Sequence, residues 1–476
     1  MPREMPIAMP GWTRPIRIPE RIEITHADPP FAIAGETSSW RVPFKLAKDV
    51  SIGSELRFQA WGGRNNKGSF SGAQIDNPEA EGYLAAELEN GARVPMQAGE
   101  YAGAYVLALP DNGLQKGQIL TIVLGDRAKG GAGIKACKEH VFNKFFVLYS
   151  VPAKDAEVRL PPRPDRGGWT KGTEDLIVAA CTMHILGGRI EHIRVYVPST
   201  TKPGQVFNVM VRPEDEFGNL SHEVMGAISI SLNEEMLVAE IERVSGSTSV
   251  RAKVSLPAEG VYRIKVREAG SDRQAMTNPI VCSDKVEPVY WGMIHGHTEI
   301  SDGTGSIDHY FHQLKNEVML DFAASGDHDH LGETPEEFWK TTCEAVKRWH
   351  DPGQFVTFLG YEWAKWRRNG DGDRNVYYLD DDRSLYRSDN GNYPSPPELF
   401  NILRERKERA IVIPHHTAHG GNFCDWKDHS PEYERLVEIF QFRGSYECSE
   451  RDGNPVPERA AGRSPYPGGY VRNALA

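Results

Sequence analysis

Apolar and polar residues alternate in short runs through the first half of the chain. Ser54–Trp61, Tyr101–Leu109, Gln118–Leu124 and Lys144–Val151 are rich in β-branched and aromatic residues, with Gly, Asn and Pro between them. A period of two predicts short strands and a β-sandwich-like region, with no long amphipathic helix. Residues 1–50 add prolines and brief alternations such as Trp40–Leu46. Leu160–Trp169 is dense in Pro and Gly and reads as a linker or crossover. From 193 to 283 the pattern repeats. Gln205–Val211, Ala227–Leu232, Ser247–Ser255 and Gly260–Glu268 are predicted strands, spaced by turns such as Glu216-Phe-Gly-Asn. This spacing suggests an immunoglobulin-like sandwich.

After Pro288 the period changes. Predicted strands at Val289–His295, Leu320–Ser325, Phe355–Tyr361, Asn375–Leu379, Ala410–Pro414 and Leu436–Phe442 alternate with helices at Ile307–Val318, Pro335–Trp349 and from Ser395 to about Glu408. Ser395 is the expected N-cap of the last, with Pro396 at its first position. Strands alternating with helices imply a parallel sheet or barrel. The expected organisation is therefore a β-rich region at 1–192, a sandwich at 193–287 and an α/β domain at 288–476.

Composition narrows the classes. The chain has 476 residues, 39% hydrophobic and 25% charged, as globular multidomain proteins do. Its net charge of −11 argues against nucleic acid as a partner, because phosphate binding favours a basic excess. No apolar run reaches the roughly 20 residues of a membrane helix. The first 15 residues hold no continuous apolar stretch of the signal-peptide kind, so a cytoplasmic location without membrane contact is expected. The six cysteines form no CxxC pair, which points away from a disulfide scaffold or a cysteine zinc site. Gly125–Gly133 is glycine-rich but lacks the Lys-Ser/Thr of a phosphate loop, so a structural loop is the better reading.

Histidine is unevenly placed. Of the 16, 11 lie between His295 and His429. The polar residues there sit at predicted strand ends: His295-Gly-His297, Gly326-Asp-His328, Gly360-Tyr-Glu362 and Pro414-His415-His416. Side chains repeat every two residues on an extended segment, so His295 and His297 share a side and can chelate one divalent ion. Glu362 can bridge two ions and offset their charge. Mixed His and carboxylate donors suit Zn²⁺, Mn²⁺ or Fe²⁺. His309 and His312 fall on a predicted helix and read as packing residues, and Asp380-Asp-Asp382 as a solvated turn.

These motifs, His295-Gly-His297-Thr-Glu-Ile-Ser-Asp302-Gly, Gly-Asp-His328, Gly-Tyr-Glu362 and Pro-His415, resemble the PHP superfamily of metallohydrolases. The whole chain resembles the DUF3604 group, which includes carbaryl-hydrolase-like enzymes; Asn375-Val-Tyr-Tyr and Val437-Glu-Ile fit that group. The resemblance implies a distorted α/β barrel with two or three divalent ions. It implies that His295 and His297 hold the first, that Glu362 bridges, and that His415 with His416 holds the second. Asp302 and His328 would serve a third ion or proton transfer. A histidine is implied just before Arg374-Asn375, where this chain has Asp373, which can still ligate. The family's late Asp-x-His motif is absent after His429, so an incomplete barrel with a more exposed first ion site is expected.

The function expected is metal-dependent hydrolysis of ester-type bonds, phosphoester or carbamate/carboxyl ester, in a small-molecule substrate by a metal-activated hydroxide. Asp302, His328 and Glu362 are the expected catalytic groups. The alternative is a catalytically impaired or non-catalytic member acting as a binding module. A homo-oligomer is compatible with either.

Overall fold

The computed structural model describes residues 14–60, 70–99, 104–152, 173–233, 235–237, 239–301, 303, 305–330, 332–364, 369–457 and 464–475. The expected linker Leu160–Trp169 and the expected site residue Asp302 lie outside the described residues. The chain forms two compact units. The first holds residues 1–291 and 303–320; the second holds 292–302 and 321–476. Both β modules expected from the sequence therefore fall in the first unit, and so does the helix Ile307–Asn316.

The first unit is dominated by a ten-stranded sheet. At its centre Ile177–Leu186 pairs antiparallel with Val141–Pro152 and parallel with Ile24–Ile33. All ten residues of Ile177–Leu186 are buried, and all but the last of Val141–Pro152. A strand covered on both faces shows an apolar run and not an alternation. That is why Ile177–Leu186 escapes a period-two reading, whereas the half-covered Trp40–Lys45 does not. Trp40, Phe44, Phe58 and Phe146 pack into one core. The loop Gly125–Gly133 is closed by its own side chain: Arg127 Nε donates to the Ala132 carbonyl, and Arg127 Nη2 to that of Thr37. A Cβ on Gly125, whose φ is +69°, would stand 2.3 Å from the Ile134 nitrogen. The glycine allows this close backbone approach.

Two four-stranded antiparallel sheets and a three-stranded mixed sheet make the second module. One four-stranded sheet contains Val206–Glu214 and Val250–Ser255, the other Ile228–Leu232 and Ile264–Glu268, and Val209, Val211, Ile230, Ala252, Ile264 and Val266 share a core between them. His309 and His312 are packing residues here. The His309 ring lies 4.3 Å from that of Phe142, and His312 Nε2 lies 3.0 Å from the Ser245 carbonyl.

The second unit departs from the parallel pattern. Gly292–Gly296, Phe322–Ser325 and Val356–Thr357 form one parallel sheet. Leu359–Trp363, Asp373–Tyr378 and Ala410–His415 form another that is antiparallel throughout. The connection from Trp363 to Asp373 is too short for a crossover helix, so consecutive strands must run in opposite directions. The two small sheets stand in place of a continuous parallel barrel among the described residues. Leu436–Phe442 is not a strand either: only Phe440–Gln441 pairs, with Gly444–Ser445. The helix Pro396–Glu405 begins at Ser395 as expected, but the Ser395 hydroxyl donates to Glu398 and leaves the backbone uncapped. No described helix is long and apolar enough to cross a membrane.

Candidate metal centre

The antiparallel sheet builds one wall of the site. Glu362 lies directly across from Asn375, and Asp373 from His415. Directly opposed residues point to the same face, and so do Asp373 and Asn375 two residues apart. Four polar side chains thus share one face by register alone. Glu362 is then tied to the other sheet. Its N–H donates to the Asp327 carbonyl (2.9 Å), and Asp329 N–H donates to the Glu362 carbonyl (3.0 Å). This bridge sets His328 beside Glu362. The Thr334 hydroxyl secures the same turn by donating to the His328 carbonyl (2.6 Å).

Four imidazoles converge on the Glu362 carboxylate. His295, His297 and His328 place Nε2 at 3.5, 3.2 and 3.3 Å from Oε2, and His415 Nε2 lies 3.0 Å from Oε1. The opposite nitrogens face other groups. His295 Nδ1 is 2.6 Å from Glu438 Oε2, His297 Nδ1 is 2.9 Å from Ser301 Oγ, and His328 Nδ1 is 3.1 Å from Glu333 Oε2. His415 Nδ1 stands 3.5 Å from the Asn375 amide nitrogen, while the buried Asn375 Oδ1 has no partner. Rotating that amide by half a turn would let Oδ1 accept from His415 Nδ1–H. Gly326 is required beside these groups: a Cβ there would meet His295 Cδ2 at 3.0 Å and Asn375 Oδ1 at 3.2 Å.

A second cluster continues from the first. His416 Nε2 lies 3.4 Å from Asp373 Oδ2, Asn422 donates to the same oxygen, and His416 Nδ1 is buried without a partner. His416 has φ of +34°, a left-handed conformation that costs a non-glycine residue and concentrates at functional sites.

Burial alone would neutralise Glu362, but the neighbouring imidazoles of His328, His415, His295 and His297 hold its carboxyl well below the usual range. Burial likewise lowers His295, yet Glu362 and Glu438 more than reverse this and raise it to about 9. His415 goes the other way, to about 4, through burial and the neighbouring His416 and His295. Glu362 is thus held as an anion among rings of unequal proton affinity.

Divalent cations fit the donor set. His295, His297 and Glu362 offer ligand atoms within 4.8 Å of one another, and so do Glu362, Asp373, His415 and His416. Bonds of about 2.0–2.2 Å place tetrahedral ligands roughly 3–4 Å apart. Glu362 belongs to both groups. Of the residues expected from sequence, the structure brings together His295, His297, His328, Glu362, His415 and His416. The first group is the more open, with the side chains of His295 and His297 18% and 22% exposed against 1% for His415. Glu438, Glu333, Ser301, Asp327, Asn375 and Asn422 were not expected as site residues; each acts on a neighbouring side chain. A cavity of about 430 Å³ in the same unit is lined by Ile294, Phe322, Phe358 and Tyr377 and by none of these groups.

The family described as "Protein of unknown function (DUF3604)" matches residues 304–454. That stretch contains His328, Glu362, Asp373, His415, His416 and Glu438 and begins after His297. The chain is also similar to an uncharacterized protein of Chlamydia muridarum (strain MoPn / Nigg), 26% identical over 479 residues, covering 96% of this chain and 72% of the relative. A relative from Chlamydia pneumoniae is 25% identical, covering 92% and 69%. Among solved structures, invasin, titled a bacterial integrin-binding protein, is 11% identical with a TM-score of 0.24, covering 58% of this chain and 45% of its own; that likeness carries no argument.

Proposed function

We propose that the chain is a divalent-metal-dependent hydrolase of ester-type bonds in a small molecule, with a PHP-type centre akin to that of carbaryl-hydrolase-like enzymes. The observation that carries this reading is the convergence of four Nε2 atoms on one buried carboxylate, three of them backed at Nδ1 by an oxygen acceptor. Histidine ligands to metals are usually held in this way by an outer partner. Cations bound here would acidify water and polarise a phosphoryl or carbonyl oxygen.

The chain's own residues then have distinct tasks. Glu362 supplies negative charge to both groups. Glu438 and Glu333 orient His295 and His328. Asp373 and His416 complete the second group. His328, backed by Glu333, is the residue to hold a proton beside the reacting centre. The partial exposure of His295 and His297 makes their side the approach for substrate.

The test is metal analysis of the purified chain, followed by a panel of phosphomonoesters, carboxyl esters and aryl carbamates with Zn²⁺, Mn²⁺ and Fe²⁺. Turnover that requires metal and is lost in Glu362→Gln is the expected result. Bound metal with no turnover on any ester would favour a non-catalytic binding module. A chain that takes up no metal would end the reading.

A further inference from the structure

We propose that Asp327 and Ser301 form a relay that fixes the tautomer of His297 and turns its Nε2 lone pair toward the cation site, which makes both positioning residues of the metal-dependent reading on which the proposal rests. Asp327 accepts three hydrogen bonds: from Thr298 N–H at 2.8 Å, from the Thr298 hydroxyl at 2.9 Å and from the Ser301 hydroxyl at 2.6 Å. A carboxylate has no proton to give, and a serine has one. Ser301 therefore spends its hydrogen on Asp327 and offers His297 Nδ1, 2.9 Å away, only an acceptor. The His297 proton must sit on Nδ1. In the neutral ring Nε2 is then left bare, 3.2 Å from Glu362 Oε2, in the position a metal ligand needs.

The relay is built and not incidental. Thr298, Ser301 and Asp327 are 1%, 6% and 3% exposed. The turn that carries Ser301 back to His297 is closed by Ser301 N–H donating to the Thr298 carbonyl at 3.1 Å. His295 and His328 face carboxylates directly, whereas His297 is held through an intervening hydroxyl. The hydroxyl fixes the ring without setting a full negative charge against Nδ1. Without Ser301 the ring is free to carry its proton on Nε2, which blocks the ligand position.

Two measurements on the full chain test this. The chain is labelled with ¹⁵N-histidine, freed of metal by chelation and studied above the ordinary imidazole range, near pH 8 or so. Two-bond ¹H–¹⁵N spectra then report the tautomer of His297, assigned by its loss in His297→Gln. The wild type and Ser301→Thr should show Nδ1–H, and Ser301→Ala should gain Nε2–H. Zn²⁺ titration calorimetry should show Ser301→Ala weakened about tenfold, as for other outer-shell losses, with Ser301→Thr restoring affinity. Nε2–H in the wild type overturns the relay, as does a Ser301→Ala chain unchanged in tautomer and Zn²⁺ affinity. A wild type with Nδ1–H that binds no Zn²⁺ supports the tautomer relay and sinks the metal reading instead.

Discussion

Glu362 is a buried carboxylate that meets four imidazoles, and each consequence of changing it follows from charge. In Glu362→Gln the size is kept and the negative charge is lost, so the two ligand groups lose their shared anion. Metal affinity and ester turnover should fall by at least about tenfold, the cost of losing far weaker outer-shell partners. The melting temperature of the chelated protein should move much less. Equal losses in both would mark Glu362 as a structural residue. Gly326 permits a second test at this scale. Its missing Cβ leaves room for His295 and Asn375. Gly326→Ala should displace the His295 ring by a few tenths of an ångström and weaken Zn²⁺ binding in titration calorimetry, with little change in the unfolding of the first unit. Unaltered affinity would show that His295 tolerates the shift and that its placement is not critical.

Among the elements, strand ends were legible and strand directions were not. His295, Glu362 and His415 were legible as polar residues at or near the ends of apolar runs, and the period of two put His297 on the side of His295. The antiparallel course of Asp373–Tyr378 was hidden, since a strand reads the same in either direction. That direction decides that Asp373 faces His415. Glu438 was hidden for another reason. Its segment looks like a strand, yet it is an extended stretch tethered by Glu438 N–H to the Pro414 carbonyl at 3.0 Å. The supporting residues Ser301 and Asp327 carry no spacing signal, because they act across a turn. Ile307–Asn316 was legible as a helix, and its end stores a pH effect. Glu317 is the C-cap, where a negative charge opposes the helix dipole. Burial pushes its carboxyl up to about 7 against the pull of Arg212, with His312 Nδ1 3.8 Å away. The folded state then binds a proton that the unfolded state, near 4.5, has released. The contribution is present below pH 4.5 and is lost as pH rises through about 7. Relative to Glu317→Gln, wild-type stability should fall over that window by up to about 3 kcal/mol. Urea denaturation of both proteins at the two ends checks this; a difference that is flat with pH would place the Glu317 carboxyl near its ordinary value.

For the whole molecule, the two units predict where a bound cation is felt. All the ligands proposed lie in residues 292–302 and 321–476, while the intervening 303–320 belongs to the first unit. A ligand that binds only the folded form stabilises it by about 2.7 kcal/mol at 100 times its dissociation constant. That gain reaches only segments that open together with the site. Hydrogen exchange followed by mass spectrometry should therefore show slower exchange with Zn²⁺ in Gly292–Gly296, Phe322–Ser325, Leu359–Trp363, Asp373–Tyr378 and Ala410–His415. The central strands Val141–Pro152 and Ile177–Leu186 should not change. The decisive segment is Ile307–Asn316. Its chain neighbours on both sides belong to the second unit, but its contacts are with the first: His309 packs on Phe142, His312 meets the Ser245 carbonyl, and Arg251 donates to Asn316 at 3.3 Å. Contacts and not sequence proximity set cooperative units, so the helix should exchange as Val206–Glu214 does and ignore the metal. Zn²⁺-dependent protection of Ile307–Asn316 equal to that of Phe322–Ser325 would show that the site and the β modules open as one body.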